Sequence, residues 1–144
     1  MNTNGLDVGR IKKNVGEYWI AEGWNWPVKV ISSARASALG CSAGRVLPVK
    51  GYITSEKFVR GRQLGEVERI LGLIAGELKN GAALLRLNSL PAADQFELRG
   101  YTQTPAGEAY IGGAYPPGLG ANQWELTTPI PATVVKIAAA GQRL

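Results

Sequence analysis

The sequence predicts an α+β domain: one or more N-terminal helices packed on a small, mainly antiparallel, strongly bent β-sheet. Three observations predict it. Apolar residues recur at helical spacing near the N-terminus and once more in the middle of the chain. Most of the remainder falls into short apolar or alternating segments separated by glycine and proline. Helical and strand-like segments do not alternate regularly, as a parallel α/β sheet would require. With 144 residues, 45% of them hydrophobic, the chain can bury one core. It therefore reads as a single domain over residues 1–144, with a helical part at 1–44, a strand-rich core at 45–137 and a short tail at 138–144, expected to fray.

The first helix is expected from Asp7 to Glu22. Val8, Ile11, Val15, Tyr18 and Trp19 share a face there, Asp7 supplies a capping carboxylate, and Gly23 to Pro27 breaks the pattern. Val28 to Ser32 is a β-branched strand, while the small-residue stretch Ala34 to Gly44 fits a short helix or a loop. Arg45 to Pro48 and Tyr52 to Thr54 read as two short strands around Gly51. Gly61 to Leu73 is a second helix, with Leu64, Val67, Ile70 and Leu71 on one face. Strands follow at Ala82–Leu87, Phe96–Tyr101, Ala109–Ile111, Gln123–Thr127 and Thr133–Ile137.

Composition narrows the chemistry. A net charge of +5 and an isoelectric point near 9.6 suit an anionic partner such as nucleic acid, a nucleotide or an acidic protein. The positive charges are dispersed, which argues against a dedicated nucleic-acid arm. The chain has no histidine, which removes Ser-His-Asp and Cys-His catalysis, the zinc-binding His-Glu-x-x-His helix and histidine-based ribonuclease mechanisms. The single cysteine, Cys41, excludes an internal disulfide and reads as a small buried side chain rather than an activated nucleophile. No metal site is expected. No apolar run reaches the ~20 residues of a membrane span, and the N-terminus lacks the pattern of a secretory signal.

Thr104 to Leu126 holds the densest cluster of functional signals. A short strand leads into a Gly/Pro hairpin, and Asn122-Gln123-Trp124 leads out of it. Gly118 and Gly120 permit close approach of a ligand to the main chain, and Pro116 and Pro117 stiffen the loop. The same pattern fits a plain hairpin flanked by aromatics. The guanidinium forks of Arg45, Arg60, Arg62 and Arg69 match a pyrophosphate, although Arg69 beside Glu66 and Glu68 also fits a solvated helix face. Trp24 and Trp26 can stack on a base or a nicotinamide, or cap a small core.

Three pieces occur in order: G-R-V-L-P at Gly44–Pro48 ahead of G-Y-I-T-S at Gly51–Ser55; E-R-I-L-G-L at Glu68–Leu73; and the glycine-rich stretch from Thr104 to Trp124. This order resembles the glycohydrolase toxins related to the tuberculosis necrotizing toxin, found as C-terminal domains of bacterial polymorphic toxins. The resemblance covers about residues 45–124. Ile74-Ala75 follows Leu73 where the family pattern has proline, and Leu119 interrupts its triple glycine. The resemblance implies cleavage of the nicotinamide–ribose bond of NAD, a substrate rather than a cofactor, through an oxocarbenium-like transition state. It implies that Arg45 and Arg69 clamp the pyrophosphate and that Gln123 orients the ribose or the attacking water. Tyr52 or Trp124 would stack on nicotinamide, Thr54 and Ser55 would hydrogen-bond to the ligand, and Glu108 would stabilise the ribosyl cation. A cognate immunity protein, and delivery by a larger carrier or secretion system into a target-cell cytoplasm, come with the same family. Two other readings stay open: a toxin ribonuclease acting on tRNA or other RNA, and a non-enzymatic binding or structural domain of a phage or secretion apparatus.

Overall fold

The structure is a computed structural model that describes residues 7–98 and 121–144. It is an α+β fold with an antiparallel sheet. The first helix, α1 (Val8–Ala21), starts where Asp7 accepts a hydrogen bond from the Arg10 amide at 3.1 Å. Ile11, Val15 and Trp19, spaced by one helical turn, are its buried stripe. After a single 3-10 turn at Gly23–Asn25 come β1 (Pro27–Ser32), α2 (Ser33–Ala38), β2 (Val46–Ser55), α3 (Glu56–Val59), α4 (Leu64–Leu71), β3 (Gly81–Leu87), β4 (Phe96–Glu97) and β5 (Gln123–Ala139).

Strand pairing closes on itself. β1 pairs with β2 and β3, and β5 pairs with β3 and β2, all antiparallel, so four strands form a ring. β4 lies against the N-terminal part of β5, where Phe96 faces Leu126. Closure leaves these four strands few free edges.

Two apolar cores lie on opposite faces of the strands. Ala83, Leu85 and Leu87 of β3 join α1 and Ile53, Trp124 and Leu126 in the first core. Ala82 and Leu84 face the second core, with Val28, Val67, Ile70 and Leu71, as the two-residue period of a strand requires. An extra residue in β5, Val135, shifts the register between Leu84 and Leu85. The shift lets Val134 face the first core and Ala138 the second. Among the described residues no helix is long and apolar enough to cross a membrane.

Several boundaries differ from the sequence expectation. The two strands expected at Arg45–Pro48 and Tyr52–Thr54 are one, the ten-residue β2, which starts at Val46 and leaves Arg45 outside it. Gln123–Thr127 and Thr133–Ile137 belong to the one strand β5, 17 residues long despite Pro129 and Pro131. A register irregularity absorbs Pro129, since β2 advances from Val49 to Gly51 while β5 spans Leu126 to Ile130, whereas Pro131 pairs in register with Pro48. The ambiguous stretch after Ser32 begins as α2, where the Ser32 hydroxyl accepts from the Arg35 amide. The expected helix over 61–73 is the shorter α4, ended by Gly72 at φ 70°. The tail is packed rather than frayed: Leu144 is buried in the second core and its amide donates to the Arg62 carbonyl at 2.9 Å. The expected strand at 109–111 lies outside the described residues, as does the part of the strand expected at 96–101 beyond residue 98.

Candidate functional site

The ring has one open seam. β1 and β2 pair only at Pro27–Ser55 and Val28–Thr54. Beyond them β1 continues along β3 through Ser32, while β2 continues along β5 through Val46. Across this gap the Lys29 amine donates to the Tyr52 carbonyl at 3.0 Å. Gly51, at φ +83°, brings the chain past that amine, and a Cβ there would lie 3.4 Å from Nζ. A side chain at Gly51 would meet both backbone strain and the lysine head.

The seam opens into a cavity of about 270 Å³. Tyr52, Thr54 and Gln123 line it, together with Lys29, Arg35 and Lys50. Alternation along the strands explains the first three. Tyr52 and Thr54 are two residues apart, and Gln123 stands opposite Thr54 in the β2–β5 ladder, so all three project from one face. Local hydrogen bonds hold them. The Thr54 hydroxyl donates to the Asn122 carbonyl at 2.7 Å, and the Gln123 amide nitrogen donates to the Leu71 carbonyl at 3.1 Å. The second bond ties the glutamine to the last turn of α4, whose C-terminal end adds Leu71 and Leu73 to the wall.

Among the described residues, three cations and one carboxylate, Glu77, line this wall. Burial, with the Arg35 guanidinium as the lesser cause, lowers the Lys29 pKa from its ordinary 10.5 to about 8. In the unfolded chain Lys29 keeps its proton up to the ordinary value. Between pH 8 and 10.5 the unfolded state therefore binds the extra proton, and stability rises with pH across that window. The cost of burying the cation is fully present below about 8. Urea midpoints measured from pH 7 to 10.5 should show this rise in the native chain, and Lys29→Met should flatten it. A bound anion favours the charged amine, so sulfate affinity should hold level below about pH 8 and fall above it.

The other sequence-derived residues lie elsewhere. Arg45 is exposed in the turn before β2, where its carbonyl accepts from Val134 and its guanidinium lies near Gly40. Arg69 is exposed on α4, 3.9 Å from Glu66. Neither lines the cavity, so this geometry does not assemble the expected Arg45–Arg69 clamp around Gln123. Glu68, expected on the same solvated face, instead turns inward and accepts from the amides of Gly76 and Leu78 at 2.9 and 2.7 Å. Trp124 cannot stack on a ligand beside Gln123. It projects from the opposite strand face into the first core, fully buried against Trp19 and Tyr18. Ser55 is also fully buried, and its hydroxyl has no hydrogen-bond partner among the described residues. Glu108, Gly118 and Gly120 lie outside the described residues.

Sequence reasoning missed Lys29, Arg35 and Lys50. A signal existed for the first: in V-K-V-I-S a lysine interrupts an otherwise apolar strand, where an ammonium needs a partner or a wet cavity. Arg35 carried no comparable signal. Among the described residues no cluster of histidine, cysteine, aspartate or glutamate could hold a metal ion. No family model matches the chain, and comparison with curated proteins and with solved structures finds no significant match.

Proposed function

We propose that the domain is a bacterial toxin effector that binds NAD in the seam cavity and hydrolyses its nicotinamide–ribose bond. The observation that carries this reading is the convergence of Gln123, Thr54 and Tyr52 with Lys29, Arg35 and Lys50 on one cavity. The three cations replace Arg45 and Arg69 as the pyrophosphate clamp, and the Arg35 guanidinium offers the bidentate contact. Tyr52 stacks on a ring of the dinucleotide and Thr54 lends polarity to the wall. With its amide nitrogen held by Leu71, Gln123 uses its oxygen to accept from a ribose hydroxyl or from the attacking water. Bond cleavage places positive charge on the ribose, so a fixed dipole at that point favours the transition state over the bound substrate. The resemblance of the motif order to that of glycohydrolase toxins supports the same substrate. A cognate immunity protein, acidic against this basic chain, and delivery into a target-cell cytoplasm belong to the proposal.

The test is nicotinamide release from NAD by the purified protein. Gln123→Ala should lower kcat by about a hundredfold, the effect of losing one transition-state contact. Arg35→Ala should chiefly raise KM, because the pyrophosphate is held equally before and during bond cleavage. Absence of nicotinamide release by the native chain, or full turnover by Gln123→Ala, overturns the assignment.

Lys29 favours a second reading as a ribonuclease. An amine titrating near 8 is partly neutral at physiological pH and can accept the proton of a ribose 2′-hydroxyl. Salt-sensitive RNA cleavage, with NAD untouched and Lys29→Met inactive, would select this reading over the first.

A further inference from the structure

We propose a second ligand site on this chain, for one nucleotide unit, in the cleft between Trp24, Trp26 and Arg86. The cleft encloses about 320 Å³ and is lined by these three residues and Gly23. It does not rest on the NAD reading, and none of its lining residues belongs to the seam cavity. The two lie close in the fold, since Trp26 directly precedes β1 and Arg86 stands opposite Val28 in the β1–β3 ladder.

Each wall is built for a distinct part of a nucleotide. Trp24 leaves 52% of its surface exposed, an unusual disposition for the largest apolar side chain. The Arg60 guanidinium lies over its ring, 4.8 Å from the centroid, and is not part of the cleft wall. The half-exposed indole borders the cleft and offers surface to a planar ring there. Trp26 closes the floor with its ring fixed in place, because its Nε1 donates to the Leu87 carbonyl at 2.7 Å. An indole shelf of this kind accepts a nucleobase by stacking.

Arg86 supplies the anion contact. Its Nε and Nη2 donate to Glu56 Oε1 at 2.9 and 2.6 Å, and Glu56 is fully buried. The guanidinium is thus pinned from behind while 43% of the side chain stays exposed. A guanidinium has five N–H donors, so donors beyond those two are available to a phosphate at the cleft. Arg60 also pairs with Glu56, and the group of two cations and one carboxylate keeps a net positive charge. A planar ring beside an oriented, half-exposed guanidinium matches a base and its phosphate together, whether free or within a single strand.

The intrinsic fluorescence of the full chain tests this directly. Trp19 and Trp124 are fully buried, so quenching on titration reports Trp24 and Trp26. AMP should quench saturably, with adenosine and inorganic phosphate each at least tenfold weaker. Trp24→Ala should abolish the response, and Trp24→Phe should retain binding followed by equilibrium dialysis. Arg35→Ala, outside the cleft, should leave the AMP-dependent tryptophan quenching unchanged. A short oligoadenylate binding much more tightly than AMP would identify the source as a strand, and equal affinity would identify a free nucleotide. No saturable AMP binding up to millimolar concentration, or equal binding by Trp24→Ala, overturns the site. Tighter binding of phosphotyrosine than of AMP overturns its nucleotide identity.

Discussion

Arg86→Met is expected to destabilise the fold by about 3 kcal/mol, near the lower end of the range for stranding a buried charge. Glu56 has no solvent exposure, and its carboxylate is held by Arg86 from one side and Arg60 from the other. Removing Arg86 leaves the carboxylate in the interior with one partner. Removing the carboxylate is gentler, because both arginines are nearly half exposed and can turn to water. Glu56→Met should therefore cost less than Arg86→Met, although it deletes the centre of the group. The double variant should cost less than the sum of the singles, since no buried charge is then left unpaired. Urea unfolding of the four proteins at neutral pH gives these differences from midpoints and slopes. Strict additivity, or a larger loss for Glu56→Met, would show that the ion group is not what holds α3 against β3.

That ion group illustrates which parts of the fold were readable in the sequence. Local patterns carried α1 well: the spacing of Ile11, Val15 and Trp19 and the Asp7 cap are properties of one short segment. Long-range pairing was not readable. Gly51 and the prolines at 129 and 131 punctuate the sequence as strand breakers, yet the ring supplies partners on both sides of β5. The Pro131 carbonyl accepts from Asn88, and the Thr127 amide donates to the Gln95 carbonyl. Such bonds carry the strand past residues that cannot donate to a ladder. Leu144 looked like the end of a frayed tail because its partners, such as Leu64 and Leu78, are contributed by distant segments.

The site followed the same division. Tyr52, Thr54 and Gln123 were singled out by the resemblance to the glycohydrolase toxins, and the β2–β5 register, which no linear pattern shows, brings them to one cavity. The cations around them were not singled out. An arginine clamp was sought within the motif order, at Arg45 and Arg69, whereas the positive charge at the cavity comes from β1, α2 and β2. The reason is the seam: β1 and β2 separate after two residue pairs, and Lys29 and Lys50 both line the cavity at that gap. Nothing in a linear pattern marks where two strands stop pairing.

Trp124 gives the sharpest contrast between the two levels, and Trp124→Ala is expected to cost about 3–5 kcal/mol. The indole is fully buried, edge-on to Trp19 at 5.2 Å and 6.1 Å from Tyr18. Trp19 in turn packs on Phe96 at 5.1 Å. Such ring pairs add about 0.5–1.5 kcal/mol beyond the area that they bury. For a domain whose total stability is on the order of 5–15 kcal/mol, this loss leaves a large unfolded population. Trp124→Phe should behave differently. It keeps an aromatic ring in the cluster and removes an indole N–H that has no hydrogen-bond partner among the described residues, so the lost volume is partly offset and the cost should stay below about 2 kcal/mol. If Trp124 serves packing alone, the proposed nicotinamide release, counted per folded molecule, should be unchanged in Trp124→Phe and should follow the folded fraction in Trp124→Ala. A fall in turnover without a fall in the urea midpoint would return Trp124 to the ligand. That result would require its ring to leave a core in which every face is already covered.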